Sequence, residues 1–544
     1  MKITVRWLTG LLLLLIAFTI IGCDEGFLVT YDSQGGSEVT AQVVAAGGKI
    51  TTEPNNVTNG ELFFSGWYKE AGCINRWDSD IDVVTEDITL YAKWQEAGAL
   101  LLELYTVSGR EQYSVVGLNS NYVGEEVYVP GYYKGIPIAT IKRFEAVATR
   151  IILPSTINKI DDHAFEYSGI AAINIPSSVT SIGYRSFRSC ALTSITIPSS
   201  VTTLGESAFE NCTSLISVTN MANTTRISTF AFRDCTSLTS VTIPSGVTTI
   251  GDRAFMHCTA LTGITIPSGV QTVEYSAFSD CSAISSITMP SSLTTIGVYA
   301  FQNCSTLTSV IIPSNVSAIG DHAFQNCTSL NDVTISSGVK TIGGYAFQAC
   351  SSLSGITIPS SVTNIGIGAF WGCNSLSGIT IPSSVTNIGI GAFWGCNSLS
   401  SIVIPSSVTT LGDFVFKDCA LLGSVTLPSG INTIGNSLFE NCASLNNMII
   451  PSSVNSIGAY AFYRCKSLNS ITIPSSVTGI GNCAFRECTG LSNISIPLSV
   501  ISMGGSVFMG CTSLSICCEA SSMPPGWNAY WNSENRPVTW NCEI

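Results

Sequence analysis

A unit of 23 residues that recurs along most of the chain decides the fold. Residues 243–265 read IPSGVTTIGDRAFMHCTALTGIT, and the phenylalanine of this unit, Phe255, recurs every 22 or 23 residues. Its sixteen positions are Phe165, Phe187, Phe209, Phe232, Phe255, Phe278, Phe301, Phe324, Phe347, Phe370, Phe393, Phe416, Phe439, Phe462, Phe485 and Phe508. One unit cannot bury its own apolar side chains, whereas stacked copies bury them against each other. The sequence therefore predicts a solenoid over residues 151–514.

Each unit contains two patterns with different periods. Ala254, Phe255 and Cys258 follow helical spacing, which predicts a short helical turn. Residues 261–266 alternate between apolar and polar side chains, which is typical of a strand. Pro267 ends this strand because proline cannot donate a hydrogen bond to a ladder. We therefore expect an α/β repeat solenoid with a continuous parallel sheet and short helical turns.

The repeated unit resembles the BspA-like leucine-rich repeat. Leu-x-x-Ile-x-Ile, followed by Pro-Ser-Ser-Val-Thr-x-Ile-Gly-x-x-Ala-Phe-x-x-Cys, carries this resemblance over residues 151–514. It implies an N-terminal cap with a degenerate first coil at residues 96–150. Residues 515–544 are rich in tryptophan, and we expect them to cap the far end rather than to bind carbohydrate. The resemblance also implies attachment to host matrix proteins or to other bacteria.

The N-terminus predicts an export signal. Lys2 and Arg6 precede an apolar stretch, residues 8–21, that is shorter than the ~20 residues needed to span a bilayer. The stretch ends in Gly22-Cys23, which resembles a bacterial lipoprotein cleavage site. We expect a signal peptide at residues 1–22 and a lipid on Cys23, with residues 23–26 as anchor and linker. An ordinary signal peptide with an incidental cysteine is the alternative.

Such a lipid anchor would hold an exported chain on the bacterial cell envelope, facing outward. Several acyl chains on Cys23 would be enough for stable membrane attachment. The resemblance thus makes the membrane one partner of the chain, reached through the lipid.

A separate small β domain is predicted at residues 27–95. Its strands include the motifs GWY at residues 66–68 and ITLYAKW at residues 88–94. These motifs resemble the internalin B-repeat, also called the Listeria–Bacteroides repeat, which implies a small β-grasp-like domain. A domain of this size needs large apolar side chains to close a core. We therefore expect core positions for its tryptophans, which are Trp67, Trp77 and Trp94.

Fifteen of the 21 cysteines occupy the same slot of successive units. We interpret this column as small, buried apolar side chains. A zinc site needs paired ligands such as Cys-x-x-Cys, which the chain lacks, and Ser168 fills the slot in the first unit without a sulfur. In the C-terminal cap, a disulfide from Cys517 or Cys518 to Cys542 could fasten the end of the chain. Of these two pairings, we predict the disulfide between Cys518 and Cys542.

The outward position of the predicted strands forms a candidate binding face. The strands are almost free of charge, and threonine occupies this position in ten units: Thr196, Thr219, Thr242, Thr265, Thr288, Thr334, Thr357, Thr380, Thr426 and Thr472. Such a surface suits a long contact with an extracellular protein or glycan, made by hydrogen bonds and shape. Because threonine also suits a strand by its β-branch, a purely structural ladder is the alternative.

The composition argues against several classes of function. A net charge of −13 without a basic run argues against nucleic-acid binding. Three histidines are too few for a multi-site metalloenzyme, and no catalytic constellation stands out above the repeat. We therefore predict no enzyme activity, no metal and no cofactor. An adhesin-like binding protein and a passive surface-layer or spacer protein without a specific ligand remain.

Overall fold

The computed structural model describes residues 26–54, 57–60, 62–77, 82–95, 100–119, 122, 124–144, 148–221 and 223–543. The chain divides into two compact units, one of residues 1–122 with 128–139 and one of residues 123–127 with 140–544. The predicted signal peptide and Cys23 lie outside the described residues. Within the described ranges no helix occurs, so none is present that could cross a membrane.

The N-terminal unit begins with a four-stranded mixed sheet. Its strands are β1 (Gly26–Asp32), β2 (Gln42–Ala45), β3 (Phe63–Tyr68) and β4 (Ile88–Gln95). The order is β2-β1-β4-β3, with β1 and β4 parallel in the centre and antiparallel pairs outside.

The predicted tryptophan core of this sheet is confirmed. Trp67 and Trp77 are buried, and Trp94 packs against the same cluster. The indole N–H of Trp67 donates to the carbonyl of Pro54 at 3.0 Å, which satisfies its polar atom. No helix covers the sheet among the residues described here, so the likeness to a β-grasp fold stays a prediction.

Five further strands precede the regular coils: β5 (Leu100–Val107), β6 (Arg110–Leu118), β7 (Glu126–Tyr128), β8 (Tyr132–Tyr133) and β9 (Ile136–Ile141). β5 and β6 form an antiparallel hairpin that turns at Ser108 and Gly109, both with positive φ. The C-terminal end of β9, Thr140 and Ile141, pairs in parallel with Lys159 and Ile160.

The second unit is a stack of coils, and a typical coil contributes one strand to each of two parallel ladders. The first ladder comprises Arg150–Ile152, Ala172–Asn174, Ser194–Thr196, Ser217–Thr219, Ser240–Val241, Gly263–Thr265, Ser286–Thr288, Ser309–Ile312, Asp332–Ile335, Gly355–Thr357, Gly378–Thr380, Ser401–Val403, Ser424–Thr426, Asn447–Ile449, Ser470–Thr472, Asn493–Ile496, Ser515–Cys518 and Val538–Trp540. The second ladder comprises Lys159–Ile160, Ser181–Ile182, Thr203–Leu204, Arg226–Ile227, Thr249–Ile250, Thr272–Val273, Thr295–Ile296, Ala318–Ile319, Thr341–Ile342, Asn364–Ile365, Asn387–Ile388, Thr410–Leu411, Thr433–Ile434, Ser456–Ile457, Gly479–Ile480 and Ser502–Met503.

Neither ladder is the uninterrupted sheet that the repeat predicts. In the first ladder, strand pairing is broken at three places: between Ala172–Asn174 and Ser194–Thr196, between Ser240–Val241 and Gly263–Thr265, and between Gly378–Thr380 and Ser401–Val403. In the second ladder it is broken between Thr203–Leu204 and Arg226–Ile227, and again between Thr410–Leu411 and Thr433–Ile434. Strands of two to four residues make few ladder hydrogen bonds, so the coils depend on their core and turns to stay stacked.

The predicted helical turns are wrong. Arg253 and His257 have φ values of 50° and 61°, in the left-handed region that a right-handed helix excludes. Their N–H groups donate to carbonyls of the next coil, as does that of Phe255. The N–H groups between them, such as that of Ala254, donate to the carbonyl three residues earlier and close four-residue turns within the coil. The segment is thus a series of turns hydrogen-bonded to its neighbour.

The core is a column of phenylalanine rings. All sixteen are at most 1% exposed, and successive rings lie 5.1–5.9 Å apart. Phe301 and Phe324, for example, have ring centroids 5.4 Å apart and planes inclined by 11°. Close stacking also explains the recurrent Ile-Gly pair, because a Cβ on Gly366 would lie 2.6 Å from the backbone of Gly343.

Candidate functional site

All ten predicted threonines lie on one exposed face, the outward face of the first ladder. Where neighbouring strands pair and both carry threonine, the register places the two threonines directly opposite each other, as in the pairs Thr265–Thr288 and Thr357–Thr380. The hydroxyls of Thr196 and Thr219 lie 2.9 Å apart and hydrogen-bond to each other. The structure thus brings the predicted residues together, and we call this surface the threonine face.

The threonine face is uncharged along most of its length and includes apolar side chains. From Ser194–Thr196 to Ser470–Thr472, Asp332 is the one acidic or basic residue in the strands. Three outward positions are apolar and highly exposed: Ile311 at 65%, Val403 at 64% and Ile449 at 85%. Exposed β-branched side chains among hydroxyls offer both apolar contact and hydrogen bonds.

A hollow of about 470 Å³ lies on this face at the interruption of the first ladder between Gly378–Thr380 and Ser401–Val403. Its walls include Gly378, Thr380, Ser401 and Val403. Ile379 at its base is half-buried, whereas the matching residue of the preceding strand, Ile356, is 8% exposed. The hollow gives the face one concave region without a charged group in its lining.

The cysteine column is structural, and its thiols are hydrogen-bonded. Each of the fifteen thiols donates to the carbonyl of the phenylalanine in the preceding coil, at sulfur–oxygen distances of 3.0–3.3 Å. Burial raises the pKa of Cys327 to about 12 and that of Cys190 to about 11. Ser168 continues the column, because its hydroxyl lies 3.3 Å from the Cys190 sulfur. The thiols of Cys190 and Cys327 are therefore protonated and unreactive at neutral pH.

The disulfide of the C-terminal cap joins Cys517 to Cys542, with Cα atoms 5.8 Å apart. The named pair of Cys518 and Cys542 is therefore wrong. Successive residues of the strand Ser515–Cys518 point to opposite sides, so Cys517 faces outward while Cys518 is fully buried. The tryptophans of this cap pack against each other and the last coil, and the ring of Trp531 contacts that of Phe508.

A network of charged side chains follows the turns of the first coils. Glu166 accepts a hydrogen bond from Arg188 at 3.0 Å, and Arg188 also contacts Glu210 at 3.1 Å. Glu210 is in turn 3.4 Å from Arg233 in the next coil. Burial would raise the pKa of Glu166, but hydrogen bonds from His163 and Arg188 outweigh it and hold that pKa below its ordinary value.

Farther along, the turns carry a column of aromatic rings that sequence reasoning missed. Its members are Tyr275, Tyr299, His322, Tyr345, Trp371, Trp394 and Phe414. Trp371 and Trp394 stack 4.4 Å apart, and Arg253 and Lys417 lie over the two ends. Because neighbouring rings and these cations cover the faces, the column stabilises the coils rather than offering a stacking platform. Reading the positions next to the phenylalanines coil by coil would have found it.

The three histidines also make contacts between or within coils. His163 bonds Glu166 at 2.5 Å, His257 bonds Asp234 at 2.7 Å, and His322 stacks between two tyrosines. In the part of the chain that the structure describes, no three His, Cys, Asp or Glu side chains are grouped to hold a metal ion.

Two family models match the chain. The BspA type leucine rich repeat region matches residues 144–259, 225–354, 340–469 and 432–525. The Listeria-Bacteroides repeat domain matches residues 27–93. The first model therefore spans most of the chain, and the second covers the four-stranded sheet.

Curated relatives are similar over a short region only. A putative membrane protein of Evansella cellulosilytica is 34% identical over 82 residues, which is 15% of this chain and 11% of that protein. A putative Gly-rich membrane protein of the same organism is 37% identical over 82 residues, or 9% of its length. The chain thus spans about a tenth of the length of these relatives.

Solved structures are similar over most of the chain. A leucine-rich repeat protein from Bacteroides ovatus is 25% identical with a TM-score of 0.50, covering 81% of this chain and 98% of its own. A leucine rich cell surface protein from Faecalibacterium prausnitzii is 25% identical with a TM-score of 0.35, covering 79% of this chain and 97% of its own. The repeat match over residues 144–525 covers more than half of the chain and, with the stacked coils, identifies the chain as a member of the BspA-type leucine-rich repeat family.

Proposed function

We propose that this chain is a cell-surface binding protein, adhesin-like in role, that contacts an extracellular protein or glycan through the threonine face. The observation that carries this proposal is the long, exposed and nearly uncharged face, with the apolar Ile311, Val403 and Ile449 and the hollow beside Thr380. Large exposed surfaces of this kind are typical of interaction sites. Host matrix proteins and the surfaces of other cells are the partners that the family resemblance implies.

The proposal includes a lipid anchor on Cys23, which would hold the chain on the cell envelope with its solenoid outward. Its support is the apolar stretch of residues 8–21 that ends at Gly22-Cys23. Cells fed a labelled fatty acid should incorporate it into the chain, and Cys23→Ala should abolish the labelling. Protease treatment of intact cells should then cleave the solenoid.

The binding experiment compares two sets of substitutions that add equal charge. The chain from residue 24 to 544 is applied to immobilised fibronectin, fibrinogen and whole bacterial cells. The face variant carries Thr334→Lys, Thr357→Lys and Thr380→Lys. Three lysines on successive coils would weaken binding to an uncharged partner, because their ammonium groups would lose water without gaining an opposite charge. We expect the face variant to lose at least tenfold in affinity.

The matched control places the same change on another exposed column in this part of the stack. Thr363, Thr386 and Thr409 flank the second ladder, and each donates to a carbonyl of the preceding coil at 3.3–3.5 Å. Their substitution by lysine should leave binding unchanged. Equal binding by both variants would remove the threonine face from the proposal.

A passive spacer is the second candidate. The hydrogen bond between Thr196 and Thr219 favours it, because hydroxyls that satisfy each other need no ligand. This function predicts no saturable binding to any of the three surfaces. We assign no catalytic residue under either proposal.

A further inference from the structure

The β5–β6 hairpin exposes an apolar edge strand. β5 pairs with β6 along one side over eight register pairs, from Leu100 with Leu118 to Val107 with Arg110. No strand among the described residues pairs with its other edge. Long edge strands are usually shortened, bulged outward or charged, because an open edge is a template for another strand. β5 is eight residues long and contains one charged side chain, that of Glu103.

The side chains of this edge strand are exposed to an unusual degree. Leu101, Leu104 and Val107 are each 48% exposed, although all three are strongly apolar. Because removing exposed apolar surface from water is favourable, these three half-exposed side chains provide a driving force for association. The edge thus offers backbone hydrogen bonds together with apolar contact.

We propose that β5 is a self-association surface, on which β5 of a second copy of this chain pairs in antiparallel orientation. The sequence of the strand selects the register. With Leu104 on the two-fold axis, Leu104 faces its own copy, Leu101 faces Val107, and Glu103 faces Tyr105. Opposite residues of an antiparallel pair share a face, so the apolar side chains of the two copies meet.

Neighbouring registers are worse. A two-fold axis at Glu103 would place two carboxylates directly opposite each other, which is destabilising. An axis between Glu103 and Leu104 is excluded, because the residues placed opposite each other would then point to different faces of the sheet. The Leu104-centred pairing joins the two hairpins into one four-stranded antiparallel sheet. Its small area predicts a weak, concentration-dependent dimer.

Sedimentation of the chain from residue 24 to 544, which keeps every described residue, tests the proposal. We expect dimer at high concentration and monomer on dilution. Leu104→Lys places two ammonium groups at the axis and should weaken the dimer at least tenfold. Val43→Lys, at a side chain 71% exposed in β2, adds the same charge away from β5 and should leave the dimer intact.

Cysteine cross-linking tests the register in a Cys73→Ala background, which removes the partly exposed thiol. Opposite Cβ atoms lie about 4.5–5.5 Å apart and diagonal ones about 7–8 Å. Mild oxidation should therefore cross-link Leu104→Cys and leave Glu103→Cys mostly uncross-linked, with unchanged circular dichroism in both. A monomeric wild type at all concentrations, an unaffected Leu104→Lys, or equal cross-linking of both cysteine variants would overturn the proposal.

Discussion

The phenylalanine column makes a quantitative prediction, for which the cysteines supply the probe. Phe324 is fully buried, and its ring lies between those of Phe301 and Phe347 at 5.4 and 5.5 Å. Phe→Ala in a core typically costs 3–5 kcal/mol, and a ring held on both faces leaves little room for its neighbours to collapse. We expect Phe324→Ala to lower the free energy of opening of its own and the adjacent coil by about 4 kcal/mol.

The assay is the alkylation rate of each thiol, resolved by peptide mass spectrometry. The thiol of Cys327 belongs to the same coil as Phe324, and that of Cys350 donates to the Phe324 carbonyl at 3.2 Å. Burial keeps these thiols protonated, so they react only when a coil opens. Because about 1.4 kcal/mol is tenfold, the substitution should raise both rates between about 10²- and 10³-fold.

Distance along the stack provides the internal control. Coils contact only their neighbours, so Cys212 and Cys488 should react at their wild-type rates. Thr328→Ala, an exposed change in the same coil as Phe324, should alter no rate by more than a few-fold. A rise below tenfold at Cys327, or an equal rise at Cys212, would refute the reasoning.

Three further predictions concern salt, the cap and acid. The affinity for a ligand bound through the uncharged threonine face should change little between low and moderate salt. A steep loss of affinity would indicate binding through the acidic N-terminal part instead. Cys542→Ser opens the 25-residue loop closed with Cys517, and should cost the last coils about 3 kcal/mol in urea unfolding. The pKa of Glu166 is lower in the folded chain than in the unfolded chain, so its carboxylate stabilises the fold above the unfolded pKa. This stabilisation is lost as the pH falls through the folded pKa. Glu166→Gln should therefore make the unfolding midpoint less sensitive to acid.

Which residues are buried follows from the repeat alone. Ala254, Phe255, Cys258 and Leu261 are all fully buried, as their spacing predicts. The same spacing suggests a helix, and here the prediction fails for a physical reason. In a helix, the backbone N–H groups donate to carbonyls of the same helix. In this segment, about half of the N–H groups donate instead to a carbonyl of a neighbouring coil. Hydrogen bonding between copies is invisible to a pattern read within one copy.

The threonine face is predictable for a related reason. Alternation within the strand separates the outward Thr265 from the buried Ile264 and Ile266, and the repeat places matching residues opposite each other wherever neighbouring strands pair. The hollow beside Thr380 is not predictable, because residues 358–380 and 381–403 are nearly identical and yet their first-ladder strands do not pair. The disulfide partner of Cys542 is the one of Cys517 and Cys518 that faces outward. The last coil departs from the repeat pattern, so the sequence does not specify which of the two that is.

The residue that directly follows each core phenylalanine shows why some coils can be stacked on identical copies and others cannot. Glu166, Arg188, Glu210 and Arg233 alternate in charge, so a copied coil there would place like charges in contact. In the two nearly identical coils at residues 358–403 the position holds tryptophan, and equal rings stack on each other 4.4 Å apart. Amide side chains pair in the same way at Gln302, Gln325 and Gln348. A coil can therefore be repeated where this residue makes favourable contact with an identical neutral side chain. Where the residue is charged, successive coils must alternate between acidic and basic side chains.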